Sequence, residues 1–412
     1  MFSRRDFLRA GLNTSTLVAL TPTVPAFLAQ AARAAGPQRD GRVLVVVQLD
    51  GGNDGINTVV PFKDDGYAKH RKVLRLPADR LLKFSKEIGF HPALRDATKL
   101  LESGRLAIVQ GVGYPNPSRS HFRSMLIWQS AKVDLPRFKQ DLVAEEDKAV
   151  FGWIGKALDG SRPPADGAPA AAFVGNGAMP VALRSQRSVA SALTRPEDAI
   201  LTLKGGGRLP APGSGEDLAA FVRRSTLDAY ATSERMAKVL RVKDGATYPA
   251  TSLAKRLRVV ARLIKGGLGT RVFYTTQSSG AGYDTHYSQL PTHAALLGEL
   301  AGALRAFLDD LAASKLAERV VVLCFSEFGR RVAENASQGT DHGTAGPVFV
   351  AGSRVKAGLV GKAPRLLDLE HGDLKMGVDF RRVYAGVLRD WLGLPPRAAL
   401  GGEFEPLPLF RS

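Results

Sequence analysis

Val43-Leu44-Val45-Val46-Val47-Gln48-Leu49 is apolar at every place but one, and most of it is β-branched. A run of that kind has no polar side to offer to water. It predicts a strand buried on both faces, as in a parallel sheet. Arg105–Gly111 (RLAIVQG), Arg271–Thr276 (RVFYTT), Arg319–Phe325 (RVVVLCF) and Gly346–Ala351 (GPVFVA) read the same way. Helical patterns lie between and after them, over Pro92–Glu102, Ser118–Ser130, Asp217–Leu240, Thr251–Lys265, Thr292–Ala313 and Arg381–Leu392. Strands alternating with helices predict a doubly wound, mostly parallel α/β fold. Residues 135–248 fit the alternation poorly. They carry Ser161-Arg162-Pro163-Pro164 and Gly205-Gly206-Gly207-Arg208, and they predict a mainly helical insertion or cap.

The N-terminus follows another logic. Ser3-Arg4-Arg5-Asp6-Phe7-Leu8-Arg9 is charged, Leu17–Leu28 is mostly apolar, and Ala32-Arg33-Ala34 fits a small-residue cleavage site. This order predicts a twin-arginine signal peptide over residues 1–35, with the Tat translocase as partner and a periplasmic or extracytoplasmic destination for residues 36–412. A membrane-spanning helix needs about 20 apolar residues. Thr21, Pro22 and Pro25 interrupt this stretch, so no stable membrane span is expected.

The 412 residues carry a formal net charge of +18, of which about +15 remains once residues 1–35 are removed. A field of that sign attracts an anionic small molecule or polymer. Nucleic acid is not expected as a partner, because the cations are scattered and no aromatic residues interleave them. Cys324, the one cysteine, excludes an intrachain disulfide and a cysteine-rich metal site. It stands in an apolar run and reads as packing.

Ligands of open parallel sheets bind beyond the carboxyl ends of the strands. The first run is followed by Asp50-Gly51-Gly52-Asn53-Asp54-Gly55-Ile56-Asn57. The second is followed by Gly113-Tyr114-Pro115-Asn116-Pro117-Ser118-Arg119-Ser120-His121, which opens a helix whose N-terminus favours an anion. The third is followed by Gly282-Tyr283-Asp284-Thr285-His286 and the fourth by Ser326-Glu327-Phe328-Gly329-Arg330. Gly339-Thr340-Asp341-His342-Gly343-Thr344 precedes the fifth. Oxygen and imidazole donors thus converge from several strand ends, a mixture suited to a divalent metal. Each motif alone has a plainer reading: Asp284-Thr285-His286 as a capped turn, Glu327 as a partner of Arg330 or Arg331. No G-x-S-x-G elbow, P-loop, H-E-x-x-H or C-x-x-C is present.

The twin-arginine start, Leu49-Asp50-Gly51-Gly52-Asn53-Asp54-Gly55-Ile56-Asn57-Thr58, His91-Pro92-Ala93-Leu94, Arg119-Ser120-His121-Phe122, Asp284-Thr285-His286, Ser326-Glu327-Phe328-Gly329-Arg330 and Gly339-Thr340-Asp341-His342-Gly343 together resemble one family. It is the exported family catalogued as domain of unknown function 1501, of the alkaline phosphatase/sulfatase superfamily. The resemblance implies an alkaline phosphatase-like sheet and a divalent metal: zinc, manganese or calcium. It places Asp50 or Asp54 as the carboxylate after the first strand and Ser120 as a nucleophile opening a helix. Asp284 and His286 would be the next ligand pair, and His342, beside Asp341, the last histidine. Glu327 falls where the superfamily has Asp-His, so Phe328 replaces a histidine and a single metal or reduced site is implied. Pro115 stands where a sulfatase would carry its formylglycine precursor, which excludes that chemistry. Arg119 or Arg330 would neutralise the substrate anion. The expected function is an exported metal-dependent hydrolase of a phosphate or sulfate ester. The alternative is a non-catalytic envelope protein of the same fold that binds anionic polymer or assists assembly.

Overall fold

The computed structural model describes residues 41–135, 150–161, 164, 168–188, 190–193, 239, 241–278 and 281–411. The signal peptide expected over residues 1–35, the Gly205–Arg208 stretch and nearly all of the helix expected over Asp217–Leu240 lie outside these residues.

The five apolar runs form the middle of one nine-stranded sheet. They are β1 (Val43–Leu49), β2 (Leu106–Gly113), β5 (Val272–Gln277), β6 (Val320–Ser326) and β7 (Gly346–Ala351). The stretch expected as an insertion contributes two further strands at one edge, β3 (Ala171–Val174) and β4 (Ala190–Leu193). With β8 (Gly358–Val360) at the other edge, the order is β8-β2-β7-β6-β1-β5-β3-β4. A short strand, β9 (Val378–Asp379), also pairs with β2. Only β7 runs antiparallel to its neighbours β2 and β6. The described part of residues 135–248 is therefore woven into the sheet rather than standing off it.

Alternation along β1 shows why the run is apolar throughout. Val43, Val45, Val47 and Leu49 enter one core, while Leu44 and Val46 enter the other. The first core packs against α1 (Arg95–Glu102), α4 (Ser252–Lys265) and α5 (Gln289–Ala313). The second packs against α2 (His121–Ser130), α3 (Trp153–Asp159) and α6 (Phe380–Gly386), where Trp128, Trp153, Phe380 and Tyr384 stack together. Cys324 is buried and unpaired in the first core, as its setting foretold. No helix among the described residues is long and apolar enough to cross a membrane.

Candidate metal centre

Five loops meet at one end of the sheet: those leaving β1, β2, β5 and β6, and the one entering the antiparallel β7. They are joined backbone to backbone. Tyr283 N–H donates to Asp50 O at 2.7 Å. Gly51 turns with φ +108°, and a Cβ there would lie 2.4 Å from the Asp284 nitrogen. A Cβ on Gly282 would lie 2.2 Å from Asp50 O. Glycine at these two places is what lets the loops touch.

Arg330 ties the loops together. Its side chain has no exposed surface. The guanidinium donates to Gly52 O (2.8 Å), Thr340 O (2.8 Å), Tyr283 O (3.1 Å) and Gly51 O, and to Asp284 Oδ1 at 2.5 Å. It has no open face for a substrate anion, contrary to the role expected from the sequence. It serves as the internal cation that holds four carbonyls and the central carboxylate. Burial works against the charge of Asp284, but Arg330, helped by His342 and His121, holds its carboxyl down to about 2.

Three imidazoles face that carboxylate. Their Nε2 atoms stand 3.3 Å (His121), 3.0 Å (His286) and 3.1 Å (His342) from Asp284 Oδ1. His286 Nε2 and His342 Nε2 are 2.9 Å apart. Each ring has an acceptor at its other nitrogen: Glu327 Oε1 2.7 Å from His121 Nδ1, Asp341 Oδ1 3.2 Å from His286 Nδ1, and Arg119 O 2.7 Å from His342 Nδ1. Assigned from these partners, the proton of each neutral ring sits on Nδ1 and every Nε2 lone pair points inward. Buried His121 Nε2 has no hydrogen-bond partner. Asp284 Oδ1 has Arg330 on its outer side, but the three lone pairs that face it have no donor among them and would be relieved by a cation. The residues therefore fit a divalent metal, with Nε2 donors and outer acceptors that fix each ring. The ligand atoms of His121, Asp284 and His342 all lie within 4.8 Å of one another.

His121 is the residue that sequence reasoning left without a role. It opens α2 at the end of the loop that follows β2, and its signals in the sequence are that position and its place in the Arg119–Phe122 motif. Its ring lies between Glu327 and Asp284, next to Phe328. The Phe328 ring packs 4.8 Å from the His121 ring and 5.0 Å from the His342 ring. The Glu327 bond holds the His121 imidazole above its ordinary titration range, against the opposing effect of burial. Burial holds His342 below it, despite the Asp284 contact.

The remaining expected ligands take other positions. Glu327 is buried and also accepts from Gly51 N–H at 3.0 Å, so it braces His121 from outside the cluster. Exposed Asp341 braces His286 in the same way. Asp54 is fully buried, and both of its oxygens are taken. Oδ2 accepts from Arg71 Nη1 (2.6 Å) and Gln289 Nε2 (2.5 Å), and Oδ1 from Arg71 Nη2 (3.1 Å). It is the counter-ion of a buried arginine, not an inward-facing donor. Asp50 lies beside the cluster and takes a bond from Gln48 Nε2 at 2.5 Å; burial, with Glu327 nearby, pushes its carboxyl up to about 6. Ser120 is the exposed N-cap of α2, and its hydroxyl makes no capping bond. Both of its neighbours are pinned, since the Arg119 carbonyl holds His342 and the His121 ring holds Glu327. The Arg119 guanidinium is partly exposed and pairs with buried Asp373.

A cavity of about 460 Å³ opens beside the cluster, floored by Asp50, His121, Asp284 and Glu327.

Solved structures that are similar include Ps i-CgsB in complex with k-i-k-neocarrahexaose (10% identity over 89% of this chain and 73% of that one, TM-score 0.40). The PsFucS1 sulfatase from Pseudoalteromonas sp. is similar at 11% identity (82% and 67%, TM-score 0.37). A protein in the alkaline phosphatase superfamily from Vibrio parahaemolyticus is similar at 12% identity (92% and 79%, TM-score 0.38). No curated protein matches the chain by sequence. The family described as Protein of unknown function (DUF1501) matches residues 42–398, and the chain belongs to it.

Proposed function

We propose that this chain is an exported, metal-dependent hydrolase of an ester of phosphoric or sulfuric acid. One observation carries the reading: the Nε2 atoms of His121, His286 and His342 each stand 3.0–3.3 Å from Asp284 Oδ1, and the donor atoms of His121, Asp284 and His342 all lie within 4.8 Å of one another. Three imidazoles and a carboxylate suit zinc better than calcium, which prefers oxygen alone. A divalent ion bound there supplies a Lewis acid for the ester oxygen.

The chain's own groups do the rest. Ser120, free of a capping bond and held between two pinned neighbours, attacks phosphorus or sulfur through Oγ and releases its hydroxyl proton to the solvent that it faces. The bond to the alcohol breaks, and the departing oxygen takes a proton from the Asp50 carboxyl. Water then cleaves the serine ester, one of its hydrogens returning to Ser120 Oγ and its O–H staying on the released acid, while Asp50 regains a proton from solvent. The N-terminus of α2 favours the anion at this point. Arg330 acts only by holding Asp284 and the loops in place.

The test is a screen of phosphate mono- and diesters and sulfate esters on zinc- and manganese-loaded protein. Turnover is expected, and Ser120→Ala should lower it at least a thousandfold while metal affinity and melting temperature stay near wild type. A residue that merely capped the helix would instead cost about 1 kcal/mol of stability and leave turnover intact. Turnover that survives Ser120→Ala undiminished would remove serine from the mechanism.

A further inference from the structure

The wall of the cavity beside the cluster contrasts with its floor. It is formed by Phe122, Met125, Leu126 and Val181, with Arg184 as the one cation among the described lining residues. Phe122 and Met125 are three apart on α2 and share a face, with Gln129 one turn beyond. Gln129 looks polar but has little to offer a ligand. Its Nε2 donates to Gln48 Oε1 at 2.7 Å, and its Oε1 accepts from Val181 N–H at 2.8 Å. Phe122 is 61% exposed, a large aromatic side chain left in water directly after the metal-facing His121. A concave, mainly apolar lining that adjoins a cluster of polar groups is the usual form of a small-molecule site, and here it is continued outward by exposed Phe122. A sugar hydroxyl against this wall would lose its water without gaining a partner, which costs free energy.

We propose that the ester recognised here carries a hydrocarbon arm, alkyl or aryl, that lies against Phe122, Met125, Leu126 and Val181 while its anionic head faces the histidine cluster. The proposal rests on the hydrolase reading only for where the head lies. Arg184 is the only arginine or lysine among the described lining residues, so the cavity offers little positive charge to a second anionic group. This disfavours a polyanion and favours a single head on an uncharged arm.

The test is binding, read by calorimetry on the zinc-loaded protein with two non-hydrolysable probes, ethylphosphonate and hexylphosphonate. Each methylene buried is worth roughly a fourfold gain in affinity, so hexylphosphonate should bind at least tenfold tighter. Phe122→Ser and, separately, Met125→Thr should each reduce that ratio below about threefold. Phe122 is largely exposed, so its replacement should fold, and the melting temperature checks this. Equal binding of the two probes, no binding of either, or a preference that survives both substitutions would overturn the proposal. Hexyl preference without turnover of any ester keeps the apolar arm and sinks the hydrolase reading. Turnover with no preference does the reverse.

Discussion

Arg71→Met should destabilise the protein by about 3–5 kcal/mol, because it leaves a fully buried carboxylate without its cation. Arg71 and Asp54 are both sealed from solvent and meet at 2.6 Å. The guanidinium also serves Val332 O at 2.6 Å and Arg331 O at 2.9 Å, tying the loop after β6 to the turn after β1. Denaturant unfolding measures the loss; less than 1 kcal/mol would mean that Asp54 is compensated by groups other than Arg71. The same pair sets an acid limit. Burial opposes the Asp54 charge, but Arg71 overcomes it and holds the carboxyl at about 2, below its ordinary 3.8. A group lowered on folding contributes stability that is present above its unfolded value and lost as pH falls through its folded one. Roughly 2 kcal/mol should therefore disappear between about pH 4 and pH 2. Asp54→Asn should flatten the pH dependence in that window.

The second large effect concerns His121. His121→Ala should weaken zinc binding as severely as His342→Ala, and each by more than the 10–100-fold that loss of an outer partner costs. Glu327→Gln, which weakens the brace on His121 along with the bonds from Gly51 N–H and Ser326 Oγ, should fall within that 10–100-fold range. Competition against a chelator of known affinity ranks the three. If His121→Ala binds zinc within threefold of wild type while His342→Ala does not, the α2 histidine is no ligand. The site would then reduce to the strand-end groups expected from the sequence.

The centre of the fold was legible because burial on both faces leaves a mark on composition. All five apolar runs became adjacent central strands, and the loops at the carboxyl ends of the four parallel ones converge with the loop that enters the antiparallel fifth. The edge was not legible. β3 is Ala-Ala-Phe-Val and β4 is Ala-Ser-Ala-Leu, each four residues with much alanine. Such segments lack the β-branched density that identifies a strand, and they lay among Pro- and Gly-rich pieces that suggested an appendage.

At the site, residue type was legible and assignment was not. Asp50 and Asp54 both follow β1, and sequence cannot say which one turns to a buried arginine 17 positions further on. Arg330 carries a charge that suggested a substrate contact, yet four backbone carbonyls claim it. Nothing in a sequence records where carbonyls point. His121 lies in the loop that follows the second strand, but that loop reads in sequence as a helix N-terminus for an anion, with Ser120 as its nucleophile, and this leaves the histidine without a role. Its role emerges only once Glu327, buried after β6, is seen to accept from its Nδ1. Glu327 and Asp341 were grouped with the ligands because a carboxylate that braces a histidine and one that binds a metal look alike in sequence.

X-ray absorption at the zinc edge, on metal-free protein reloaded with one equivalent of zinc, reads the proposed donors directly. The account predicts tight stoichiometric binding, with a first shell of three imidazole nitrogens at about 2.0–2.1 Å and one carboxylate oxygen at about 2.0–2.2 Å. A protein that takes up no zinc, or zinc in a shell of oxygen atoms without imidazole scattering, would contradict it.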